Sequence, residues 1–238
     1  MPTPPLRSFL VATRNAHKVQ EIQTILGRPF HLLALADFPG APAVIEDAST
    51  FAGNAIKKAV ELAHWLASGK MGFHELPDYV LSDDSGLELD ALNGAPGVHS
   101  ARFAALDAGT KASSGNSPDS ENNAKLLRLL QDFAMEKRTA RFRCVIAFTP
   151  IERPEPGGAS PVCYANEMEM KTEIFDGVCE GRISQAPSGQ DGFGYDPLFV
   201  PNGHSCSFAE LGETIKNQIS HRARALQKLK ARLAGQTA

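Results

Sequence analysis

Apolar and polar positions change period repeatedly along the chain, and each change predicts an element. Ser8–Thr13 (SFLVAT) is a short apolar run that predicts a buried strand. In His17–Leu26, Val19, Ile22, Ile25 and Leu26 recur at helical spacing. His31–Leu35 predicts a second strand. Thr50–Ser68 predicts a long helix, with Thr50 as N-cap and Ala55, Ala59, Leu62 and Leu66 on one face. Gly69–Pro77 is a connecting loop, and Tyr79–Ser82 predicts a strand that delivers two acids, Asp83 and Asp84. Ser85 and Gly86 follow as a tight turn.

Farther on, Asn93-Gly94-Ala95-Pro96-Gly97 predicts a second turn before a short helix. Ala108–Ser120 is polar and rich in Ser and Gly, which predicts a mobile surface loop, and Glu121–Phe133 predicts a helix. Ala140–Thr149 alternates and then becomes continuously apolar, as a core strand does. Pro150–Pro161 reads as a loop, and Val162–Met170 and Lys171–Ile183 as strands with a turn near Asp176-Gly177. The tail Lys216–Leu233 is amphipathic: with Ile215 just before it, Ile219, Leu226, Leu229 and Leu233 share a face that Arg224, Lys228 and Lys230 avoid. Helices and strands are interspersed without repeats, which predicts one α/β domain over 1–238 built on a mixed sheet.

Composition narrows the function classes. The 238 residues are 42% hydrophobic and carry a formal net charge of −3. That is enough chain for a substantial core, and it gives no global attraction to nucleic acid or membrane. No run reaches the length of a membrane span, and no cleavage pattern is read in MPTPPLRSFLVATRN. Cys144, Cys163, Cys179 and Cys206 form no CxxC, so they read as reduced thiols of a cytoplasmic chain.

Five stretches carry candidate chemistry. Thr13-Arg14-Asn15-Ala16-His17-Lys18 joins a strand to a helix, where free backbone N–H groups and Lys18 favour phosphate; an ordinary helix cap is the alternative. Glu46 precedes the long helix, either complementing its dipole or converging with Asp84 on a metal. Adjacent strand residues point to opposite faces, so one of Asp83 and Asp84 faces the site and the other braces the scaffold. Between Pro187 and Pro197, three glycines around Phe193 let backbone approach a flat ligand. There Phe193 or Tyr195 can stack on a base, and Asp196 can accept from it or from a neighbouring cation. Finally Lys216, His221 and Arg222 form the most compact positive cluster, placed at a helix entrance beside phosphate or a carbonyl-bearing base with Ser220 as N-cap of the last helix; a solvated basic face is the alternative.

Together the segments VATRNAHKVQEI, TFAGNAIKKA, DDSGLELDALNGAPGVHSAR, GFGYDPLFVP and SFAELGETIKNQISHRARAL resemble the inosine/xanthosine triphosphate pyrophosphatases. They come in that family's order over residues 9 to 226. The resemblance implies a two-lobed α/β fold with an elongated mixed sheet flanked by helices and a nucleotide cleft between the lobes. It implies a homodimer, a magnesium requirement and hydrolysis of ITP, dITP and XTP to the monophosphate and pyrophosphate. By match, Asp84 takes the place of the catalytic base and a metal ligand, and Glu46 that of the other ligand. Thr13–Lys18 falls on the triphosphate loop. Ser85, Phe193, Gly194, Tyr195, Asp196, Lys216, His221 and Arg222 fall on substrate contacts. Gly53 departs from the family's usual glutamate, and His99 from its tyrosine. A non-catalytic purine nucleotide sensor and a pyrophosphatase for other modified nucleotides are the competing readings.

Overall fold

The computed structural model describes residues 7–68, 76–108, 115–152, 169 and 171–235. Its strands are β1 (Arg7–Val11), β2 (Phe30–Ala34), β3 (Tyr79–Leu89), β4 (Thr139–Pro150), β5 (Glu173–Ile183) and β6 (Phe199–Pro201). Its helices are α1 (Ala16–Leu26), α2 (Phe51–Ala67), α3 (Asp119–Leu130), α4 (Phe208–Ile219) and α5 (His221–Ala234). The strands form one six-stranded sheet in the order β2-β1-β3-β4-β5-β6. It is mixed, because β1 runs parallel to β2 and β3 while β5 and β6 are antiparallel.

The chain forms two compact units. The first comprises residues 1–84, 145–176 and 226–238, and the second 85–144 and 177–225. In the first, Phe9, Leu10 and Val11 of β1 are fully buried with Ile22 and Leu26 of α1 and Leu62 of α2. Phe9 also meets Phe148 of β4 edge-on at 5.0 Å, and Tyr79 stacks on Phe148 at 4.2 Å. In the second, Leu87 and Leu89 of β3 pack with Phe142, Phe199, Phe208 and Leu126.

Most predicted elements are present with ends moved by a few residues. Four expectations are corrected. Asp83-Asp84-Ser85-Gly86 is no turn, because β3 runs unbroken from Tyr79 to Leu89. Turn-forming composition loses here to pairing in the middle of the sheet and to burial of Leu81, Leu87 and Leu89. Asp176-Gly177 is likewise interior to β5. A Cβ on Gly177 would lie 2.0 Å from the His221 carbonyl oxygen and 2.6 Å from Ala225 N, so glycine serves close packing of helix on strand.

The amphipathic tail is divided at Ser220, the expected N-cap of the last helix. Ser220 is extended (φ −66°, ψ 162°), closing α4, while its Oγ accepts from the Ala223 amide at 3.1 Å to start α5. Lys216 therefore sits in the last turn of α4 and not at a helix entrance. The fourth correction is that α3 starts at Asp119, inside the stretch read as a surface loop. Val162–Met170 and most of Pro150–Pro161 and Gly69–Pro77 lie outside the described residues, apart from Glu169. Among the described residues no helix is long and apolar enough to cross a membrane.

Candidate functional site

The first unit gathers the acids. Between β1 and α1, Asn15 Oδ1 accepts from the amides of His17 (3.0 Å) and Lys18 (3.3 Å). Thr13 Oγ1 accepts from the Asn15 amide at 3.1 Å. Thr13 and Asn15 thus shape this loop with their own side chains. The His17 and Lys18 amides, expected to be open to phosphate, already have partners. Arg14, Ala16 and His17 are exposed, and Arg14 Nη2 donates to the Ala41 carbonyl at 3.4 Å. Lys18 turns inward and pairs with the buried Asp83 carboxylate.

Because β3 stays extended, its two acids find different partners. Asp83 takes Lys18, while Asp84 faces residues of α2 and its approach. Lys58 Nζ lies 3.1 Å from Glu46 Oε1 and donates to the Asp83 carbonyl at 3.2 Å. Burial pushes the Asp84 carboxyl up to about 6; the ammonium groups of Lys58 and Lys18 oppose that shift, Glu46 adds to it, and Asn54 opposes it. An acid poised near neutrality among two lysines and a second acid can hold a cation or take a proton from water.

The donor set suits magnesium. Asp84 Oδ2 is buried with no hydrogen-bond partner, and Glu46 is close enough to raise the Asp84 pKa. Among the described residues no group of three or more His, Cys, Asp or Glu side chains is arranged to hold an ion. Magnesium is usually bound by one or two carboxylates with substrate phosphates, a demand that Glu46 and Asp84 can meet.

Several hydrogen bonds hold the Glu46 segment to α2. Asn54 Oδ1 accepts the Ala48 amide at 2.9 Å, Thr50 Oγ1 accepts the Gly53 amide at 3.0 Å, and Lys57 pairs with Asp47 at 2.6 Å. A Cβ at Gly53 would approach the Ala48 methyl to 2.8 Å. The absent acid at position 53 therefore goes with close contact between this segment and the helix.

The second unit gathers an aromatic ring and cations. Lys216 Nζ pairs with Asp196 Oδ2 at 2.6 Å, with both side chains almost fully buried at 3% and 2% exposure. Lys216 Nζ also stands 4.4 Å from the centre of the Phe193 ring, and Arg222 Cζ 5.9 Å from it. Arg222 Nη2 donates to Ser85 Oγ at 3.0 Å, and Asp196 Oδ2 accepts the Phe193 amide at 2.9 Å. Gly192 (φ +80°) is required, since a Cβ there would lie 2.3 Å from Asp196 Oδ2.

Tyr195 departs from its expected place. Its ring is in the hydrophobic core and its hydroxyl donates to the Ser100 carbonyl at 2.9 Å, so Phe193 alone of the two aromatics stands beside the cations. His221 is buried and stacks on Phe142 at 4.7 Å. Four contributors escaped the sequence reading: Asn54, Lys58, Asp119 and Asn123. Asn54 and Lys58 leave a weak trace, an amide and a cation one turn apart beside an otherwise apolar helix face.

The model of the Ham1 family matches residues 9–232. The chain is similar to dITP/XTP pyrophosphatase of Geobacter sulfurreducens, 44% identical over 229 residues (96% of this chain, 97% of that protein). It is 41% identical over 230 residues to the protein of the same description from Shouchella clausii (97% of this chain, 98% of that protein). Among solved structures, the Staphylococcus aureus Ham1 protein superposes with a TM-score of 0.72 at 32% identity, covering 97% of this chain and 100% of that one. A Mycobacterium abscessus structure described as nucleoside-triphosphatase / dITP/XTP pyrophosphatase gives 0.62 at 34% identity, covering 93% and 98%.

Proposed function

The chain belongs to the Ham1 family, and from that premise we propose that it hydrolyses ITP, dITP and XTP to the nucleoside monophosphate and pyrophosphate. The observation that carries the reading is Asp84: a buried carboxyl with a pKa raised to about 6, set among Glu46, Lys18 and Lys58. Relatives named dITP/XTP pyrophosphatase supply the substrate class.

In this reading Glu46 and Asp84 hold magnesium, which when bound neutralises charge on the phosphate oxygens. Lys18, and Thr13–His17 around it, receive the triphosphate. Asp84 orients a water for attack on the α-phosphorus and accepts its proton. The bond between that phosphorus and the α–β bridging oxygen breaks, and pyrophosphate leaves with the bonding electron pair. Lys18 and Lys58 counter the negative charge that builds on the way.

The base is read by the second unit's residues. Phe193 stacks on the purine, while Arg222 and Lys216, held by Ser85 and Asp196, direct donors to the 6-oxo group; Gly194 and Tyr195 continue the loop that carries Phe193, and His221 precedes Arg222 at the start of α5. Adenine presents an amine there, so a buried donor would be left unpaired, at about 1–3 kcal/mol per group. The enzyme works as a cytoplasmic homodimer in this reading.

The test is direct. Purified protein is incubated with magnesium and ITP, dITP, XTP, GTP or ATP, with and without chelator, and pyrophosphate is separated from single phosphate. Pyrophosphate release from ITP and XTP that chelator abolishes is expected. Release of single phosphate, equal use of ATP, or binding without turnover as in a nucleotide sensor would overturn the proposal.

A further inference from the structure

Helix α3 grips the Gly-rich loop at a single residue. Asp119 Oδ2 accepts the Gly194 amide at 2.6 Å, and Asn123 Nδ2 donates to the Gly194 carbonyl at 3.0 Å. Both backbone polar groups of one glycine are thus held by positions i and i+4 of one helix, which share a face. Gly194 has φ +64°, a left-handed conformation that leaves its neighbour's direction sensitive to these two bonds.

The Asn123 amide is oriented at a cost. Asn123 Oδ1 is buried without a hydrogen-bond partner. Flipping the amide would set that oxygen against the Gly194 carbonyl, so the donor is kept on the glycine and the oxygen is left unsatisfied. The task of this amide is to hold the Gly194 carbonyl.

Its consequence is read from the preceding residue. Phe193 precedes Gly194, its amide is tied to Asp196, and its ring lies beside Lys216 and Arg222. We propose that Asp119 and Asn123 are positioning residues that set the Phe193 ring against its two cations, so that α3 governs affinity for the purine base and not for the phosphates. This rests on the pyrophosphatase reading above. Preorganising a stacking platform raises affinity by removing the ordering cost from the binding step.

Two isosteric substitutions give opposite expectations. Asp119→Asn keeps an oxygen to accept the Gly194 amide, whereas Asn123→Asp replaces the donor by an oxygen facing a carbonyl. Dissociation constants for inosine 5′-monophosphate and for inorganic tripolyphosphate are measured by calorimetry on the full chain. Asn123→Asp should weaken the monophosphate about tenfold and leave tripolyphosphate within about twofold, as loss of a buried hydrogen bond with repulsion implies. Asp119→Asn should hold both within about twofold, and Asp119→Ala should weaken the monophosphate alone.

Should Asn123→Asp fail to fold in a thermal melt, Asn123→Ala serves, since it removes the donor to the Gly194 carbonyl without setting an oxygen against it. Unchanged monophosphate affinity in the Asn123 variant, or equal loss of both ligands, would overturn the clamp while the pyrophosphatase reading stands. A wild-type chain that neither binds the monophosphate nor releases pyrophosphate from ITP would overturn both.

Discussion

Lys18 and Asp83 form an ion pair in which the Asp83 side chain is fully buried and the Lys18 side chain 18% exposed. The pair ties the loop before α1 to the middle of β3. It also gives Asp83 a definite task, that of holding a lysine expected to meet phosphate.

Breaking that pair is expected to cost stability. Asp83→Ala should destabilise the chain by about 3 kcal/mol, the lower end for a buried pair because Lys18 can turn toward water. Urea denaturation checks this, and a midpoint unmoved from wild type would refute the structural weight given to the pair.

Asp84→Asn is expected to separate activity from stability. The folded-state pKa of Asp84 is raised from 3.8 to about 6, so the folded chain binds this proton more tightly than the unfolded chain. Its contribution to stability is therefore fully present below about 4 and lost as pH rises through about 6. Asparagine does not ionise, so in chelator near neutral pH the variant should be more stable than wild type by up to about 3 kcal/mol, with the gain vanishing in acid. Turnover should fall at least about a hundredfold, in line with loss of a general base. Wild-type turnover, or a stability gain that ignores pH, would contradict the role of Asp84.

Lys216→Met leaves the Asp196 carboxylate buried without its ammonium, and about 3–5 kcal/mol of destabilisation is expected. Adding Asp196→Asn should recover part of the loss. A double-mutant cycle by thermal denaturation measures the coupling, and strictly additive effects would show that the 2.6 Å contact carries no energy of its own.

Gly177→Ala forces a methyl to within 2.0 Å of the His221 carbonyl oxygen, and destabilisation of about 3 kcal/mol or more is expected. Gly115→Ala is the control, since a Cβ there meets nothing within 4 Å; it should stay within about 0.5 kcal/mol of wild type. Equal stability of the two variants would show that α5 does not press on β5 as described.

Much of the molecule follows from local pattern. The Asn15 and Thr50 caps, the apolar faces of α1 and α2, the core run of β4 and the turn at Asn93-Gly94 need only neighbours within a few residues, and those are written along the chain. A missed signal was also present: Ser207 and Glu210 form a capping box at the start of α4, two partners three residues apart.

What the tertiary structure alone decided lies where local preference met a distant neighbour. Asp83–Gly86 and Asp176-Gly177 carry turn residues, yet sheet pairing holds both stretches extended, and at Gly177 the close approach of α5 is what requires glycine. The same holds for the candidate site. Which acid takes Lys18 is settled across 65 residues, and which side chains hold Gly194 across 71 and 75. The chain order of the motifs determines which family the protein belongs to. The ionisation of Asp84 and the placement of Phe193 depend instead on burial and on charges that converge only after folding, because desolvation and hydrogen bonding are properties of an environment and not of a segment.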